Sequence, residues 1–149
     1  MQRSVTEILP YLQTAIGPVI LISGVGMLLL VMTNRFGRVV DRSRQIMADL
    51  RRGTGPVVPG AREQIRILFL RARVLRWAIG MASGSVLLSG LLVATLFGAS
   101  AFHWAVAGAV ELQFTGSVLA LVVAVLFFLY DIHLSLVALR LELRETGVE

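Results

Sequence analysis

The sequence predicts an all-α integral membrane protein: three transmembrane helices, with a long cytoplasmic helical hairpin continuing the first and second spans. Three observations predict it. The hydrophobic fraction is 56%, with only 15% charged residues and a mean hydropathy of +0.81, a balance that points to the bilayer as solvent. Three apolar runs are each long enough for about 30 Å of hydrocarbon, which takes about 20 helical residues. The arginines gather in one segment between the first and second runs.

The first run, residues 12–33, reads LQTAIGPVILISGVGMLLLVMT. It is too long for a cleaved signal peptide, lacks a strongly basic leader and ends in stop-transfer arginines. Ser4-x-x-Glu7 reads as a capping box for a short helix ahead of it. Gly17-Pro18 is placed to kink the span or to mark its first turn.

Residues 34–76 form the expected hairpin. On the outgoing arm Phe36, Val39, Val40, Ile46, Met47 and Leu50 share one face at 100° per residue. Arg35, Arg38, Asp41, Arg42, Asp49 and Arg52 take the other. Nothing interrupts this pattern before GTGPVVPG at 53–60, where glycine and proline end one helix and begin the next. The return arm has two apolar faces, one with Ile65, Leu68, Ala72 and Leu75, the other with Ile67, Leu70 and Val74. A helix apolar on two sides is buried on two sides, so this arm calls for a second partner.

The second span, 77–101, carries Gly80, Ser83, Gly84, Gly90, Ala94 and Gly98 within about a third of its circumference. Their small-xxx-small spacing predicts a helix-packing face, within the chain or between subunits. The third span, 112–139, contains one carboxylate, Asp131. On the 3.6-residue period Asp131 shares a small, polar face with Ser117, Ala120, Ala124 and Ser135, so it points at protein. Lipid exposure there would cost about 2.5–3.5 kcal/mol or more. Its candidate partners are Asn34, Arg35, Arg38 and Arg76, in a structural ion pair, with ion or proton handling as the alternative. His133 points roughly the other way and reads as interfacial.

Orientation follows from charge. Segment 34–76 holds eleven arginines against Asp41, Asp49 and Glu63, a net of +8. The residues joining the second and third spans carry only His103 and Glu111. The positive-inside rule puts the hairpin and the C-terminal end, 140–149, in the cytoplasm, with the N-terminus outside.

The words IGPVILISGVGMLLLVMTNRFGRVVDRSRQI and QIRILFLRARVLRWAI resemble the bacterial membrane-protein family catalogued as domain of unknown function 2721. The resemblance runs from about Leu12 to Leu143 and is strongest in the first span and its Asn34-Arg35…Arg38…Asp41-Arg42 continuation. It implies the membrane fold and brings no catalytic or ligand residues with it.

Function is read by exclusion. There is no cysteine, so no disulfide framework or thiolate chemistry. No glycine-rich phosphate loop follows a strand, and no nucleophile–base–orienter set can be assembled, so no catalytic, cofactor-binding or metal residues are expected. Nucleic acid would attract the basic hairpin, but topogenic charge and anionic lipid headgroups explain the same residues more economically. What remains is a single membrane domain, 1–149, acting as a homo-oligomeric scaffold or accessory subunit of a larger complex. The alternative is a small oligomeric channel or transporter. Single cysteines at Gly53 and Ala107 are expected to be labelled from opposite sides of the membrane. Labelling of both from the periplasmic side would overturn the topology.

Overall fold

The structure is a computed structural model that describes residues 5–52, 61–102 and 107–145. These form three helices: α1 (Val5–Arg52), α2 (Ala61–Phe102) and α3 (Ala107–Glu145). Each contains a stretch long and apolar enough to cross a membrane, with mean hydropathies of 2.4, 1.8 and 2.4. At about 1.5 Å rise per residue, the 48 residues of α1 extend roughly twice the length that about 30 Å of hydrocarbon requires. The span and the outgoing arm are therefore one uninterrupted helix.

Pro10 and Pro18 both lie inside α1, so neither ends it. Each removes one backbone N–H and leaves the carbonyl four residues earlier without its usual donor. The Thr14 hydroxyl adds a bond to the Pro10 carbonyl at 2.9 Å, an acceptor that neither proline deprives of its backbone donor. The expected capping box rests on Ser4, and the turn on 53–60; both lie outside the described residues.

Burial recurs with a seven-residue period on all three helices. On α1 Pro18, Val25, Met32 and Val39 are buried; on α3, Ser117, Ala124 and Asp131. On α2 the buried stripe steps by three and four through Leu75, Ala78, Ala82, Ser85, Ser89, Leu92 and Leu96. A 3.5-residue period is the signature of helices packed with left-handed twist. On α2 the stripe is leucine toward its ends and alanine or serine from Ala78 to Ser89, and the small residues let backbones approach where lipid provides no hydrophobic drive. Large side chains face out instead: Ile20, Met27, Leu30, Leu87, Leu112 and Leu126 are each at least 60% exposed. That inside-out distribution suits a surface solvated by acyl chains.

The chain groups into two compact units, each drawing on all three helices. One comprises residues 1–29 and 80–123, the other residues 30–79 and 124–149. In the first, Gln113 Nε2 donates to Thr95 Oγ1 at 3.2 Å, and Thr95 in turn donates to the Leu91 carbonyl at 2.8 Å. Gly116 is packed closely: a Cβ there would meet Leu88 Cδ1 at 3.3 Å.

The small-residue face expected of α2 is not the face it buries within the chain. Gly80, Ser83, Gly90 and Ala94 are exposed, and Gly84 and Gly98 are half-buried. A Cβ at Gly80, Gly84, Gly90 or Gly98 would meet nothing within 4 Å. The reason is rotational: the competing heptad stripe through Ala78, Ala82 and Ser85 takes the interior, turning the glycines outward.

Two substitutions separate these faces. Ala82→Leu, at a position with no exposure, is expected to overpack the interior and cost about 1–3 kcal/mol. Gly80→Ala, with open space around it, should leave stability unchanged or raise it by about 0.5–1 kcal/mol through helix propensity. Unfolding of both variants in one detergent checks the pair; the reverse order would refute the rotation of α2.

Candidate functional site: a buried carboxylate clasped by two arginines

α3 carries Asp131 at a heptad position otherwise occupied by Ser117 and Ala124, so the helix turns the carboxylate inward with the small residues. Its relative exposure is 0%. An ionised carboxylate there is tolerable only if cations and donors replace its lost water. Two do. Arg71 on α2 donates from Nε to Oδ1 at 3.2 Å. Arg35 on α1 brings Nη2 to 3.3 Å from Oδ2. The Arg35 contact is one of charge, since Oδ2 accepts no aligned hydrogen bond.

Arg35 is held from a second side. Its guanidinium carbon lies 5.5 Å from the centroid of the Phe128 ring, within range of a cation–π contact. Phe128 and Asp131 are one turn apart on α3, so a single helix face presents both an aromatic ring and a carboxylate to the same cation. Within α2, Arg73 lies over Phe69 at 5.4 Å.

The residues expected to meet Asp131 divide. Arg35 is in contact with it. Arg38 lines a neighbouring cavity instead. Asn34 and Arg76 are exposed, and no ion pair joins Arg76 to Asp131. Arg71 was not among the expected partners, yet its signal was present: it falls three residues after Leu68 and four before Leu75, on the buried stripe. An arginine interrupting an apolar heptad is a better guide to a buried partner than proximity to the end of an apolar run.

Of the expected hairpin-packing residues, Val39 is 5% exposed and Leu75 fully buried, while Ile46, Ile65 and Leu68 are half-buried. The Leu50 side chain lies outside the described residues. Both apolar faces of the return arm are partly covered: Leu75 is fully buried on the first, and on the second Val74 is buried while Leu70 is 42% exposed. His133 is exposed. Among the described residues no three His, Asp or Glu gather to hold a metal ion.

This arrangement can neutralise and orient a carboxylate. Both oxygens of Asp131 face guanidinium groups, and the residue has no exposure. A family model described as "Protein of unknown function (DUF2721)" matches residues 15–141. No curated protein and no solved structure matches the chain.

Breaking the clasp from one side should cost more than its net contribution, because a buried charge is left behind. Asp131→Leu is expected to lower stability by about 3–5 kcal/mol. Adding Arg71→Met should recover part of that loss, while adding Arg76→Met should recover none. Denaturant or thermal unfolding in one detergent provides the comparison. An Asp131→Asn protein as stable as wild type would show that the carboxylate charge is not structural.

Proposed function

The chain belongs to the DUF2721 family, and within it we propose a non-enzymatic, multi-pass membrane protein that acts as a homo-oligomeric scaffold or accessory subunit. The observation that carries this reading is the clasp. An intramembrane ionisable residue is by default a candidate for ion or proton transfer. Here Asp131 has no exposure and faces two arginines, which supports a structural ion pair over an ion-handling site.

The outward stripe of Gly80, Gly84, Gly90 and Gly98 supports assembly. Open glycine positions on an apolar helix allow a second helix to approach closely. Leu87 and Leu91, 65% and 47% exposed, would flank such a contact. In this reading the protein sits in a bacterial inner membrane with its N-terminus outside. The arms of segment 34–76 and the C-terminal end of α3 face the cytoplasm, where basic residues meet anionic headgroups or the surface of a partner subunit.

The channel reading makes a different demand. A pore needs polar groups along a shared path between copies, whereas the stripe that α2 turns outward is glycine, alanine and leucine with a single hydroxyl at Ser83. The mass of the protein in mild detergents and in nanodiscs is the deciding measurement, followed by planar-bilayer recording. The expected result is a multiple of 16.2 kDa without conductance, with Gly84→Leu and Gly90→Leu lowering the multiple. A single-chain particle under all conditions would refute the oligomer. Stable unitary currents would replace the scaffold with the channel.

A further inference from the structure

Beside the clasp lies a cavity of about 370 Å³, lined by Arg35, Arg38 and Arg42 of α1, Leu68 and Arg71 of α2, and Ser135 of α3, with Val39 in its wall. We infer that this cavity is a binding site for one phosphate-type oxyanion, carried by an anionic lipid headgroup or free as inorganic phosphate. The inference deepens the headgroup contact proposed above by giving it one address, and it does not depend on the oligomer.

Charge balance carries the argument. Among the described residues four guanidinium groups line the space, and the carboxylate behind them, Asp131, answers for one positive charge. Arg35 and Arg71 are only 24% and 15% exposed, so water screens their excess charge poorly. Arg38 and Arg42 stand four residues apart on one helix, a like-charge spacing that is unfavourable without an anion between them. Asp41, the nearest acid on α1, is exposed and does not line the cavity.

The donors also suit a tetrahedral oxyanion. Each guanidinium presents five N–H groups in a planar fork, which grips phosphate oxygens in pairs. Arg71 uses Nε on Asp131, and Arg35 is fixed between Asp131 and the Phe128 ring. One side of the site is thus immobilised before any ligand arrives, which lowers the ordering cost of binding. Ser135 adds a hydroxyl, and Val39 and Leu68 give an apolar wall suited to the glycerol and first methylenes of a lipid. On α1 the site begins two residues after the apolar run ends at Thr33, which is headgroup level when that run fills the hydrocarbon. The volume lies at the small end of the about 300–1,000 Å³ common for ligand sites.

Arg44, Arg51 and Arg52 make a control. They line a separate depression with Met47 and Ala48, to which, among the described residues, only α1 contributes.

The experiment is native mass spectrometry of the full chain in detergent, titrated separately with short-chain phosphatidylglycerol, short-chain phosphatidylcholine and inorganic phosphate. One phosphatidylglycerol per chain is expected, saturably and in preference to phosphatidylcholine. Arg38→Gln with Arg42→Gln should weaken it at least about tenfold, and Arg51→Gln with Arg52→Gln, the same loss of charge, should not. Displacement of the lipid by inorganic phosphate supports the site and identifies the oxyanion alone as sufficient. Lipid binding that phosphate does not disturb supports it with the headgroup as the source. Equal retention of the two lipids by wild type, which needs no variant to fold, would overturn the inference. Equal weakening by the two double substitutions would overturn it as well, reducing the effect to diffuse attraction.

Discussion

One carboxylate removed from water organises half of the described chain. Asp131 on α3 faces Arg35 of α1 and Arg71 of α2, so a single residue ties all three helices within their unit. Such a triad is weak evidence of net stabilisation, because desolvating three charges offsets most of the Coulomb gain. Its consequence is selection among alternatives. A rotation of α2 by one residue, or a slide of α1 by one turn, would leave a buried charge alone. Apolar contacts tolerate such shifts; an unpaired ion does not. Here the ion triad discriminates between registers that leucine and alanine leave nearly equivalent.

The rest of the interior obeys the same economy of polar groups on a smaller scale. Ser89, buried on α2, donates to the Ser85 carbonyl at 2.9 Å, and Ser117 on α3 donates to the Phe114 carbonyl at 2.8 Å. Each hydroxyl is satisfied by its own helix, so it can line an interface without requiring a partner across it. Ser85 Oγ and Gln113 Oε1 are the interior exceptions, buried without a hydrogen bond. Small size is what qualifies these residues for the interface. Met32 and Leu75 are buried with them, but many large side chains go outward, where acyl chains solvate them as well as protein would.

The excess of cations over acids links the interior to the surface. Two arginines answer one aspartate, and Arg38 and Arg42 extend the cationic wall along α1. The clasp and the basic outgoing arm are therefore one electrostatic system. Changes at Asp131 should be felt as repulsion along α1, while changes at Arg38 or Arg42 leave the clasp intact.

The sequence by itself determined three helices, their apolar stretches and the inward face of α3. Each follows from one helix at a time: run length, the alternation of apolar and charged residues, and the company Asp131 keeps with Ser117 and Ala124. It also identified Arg35 as a candidate partner from its place at the end of the first run. What only the tertiary structure decided is how α2 is rotated. That helix carries two competing stripes, the glycines at Gly80, Gly84, Gly90 and Gly98 and the heptad through Arg71, Leu75, Ala78 and Ala82. Periodicity ranks both as packing faces. The difference shows in what each stripe meets: Arg71 turns toward the buried Asp131, whereas a Cβ at any of the four glycines would meet nothing within 4 Å. Each residue leaves a local trace, Asp131 on its small, polar face and Arg71 on its apolar stripe, but the pairing of residues 60 positions apart emerges only when the helices are placed side by side.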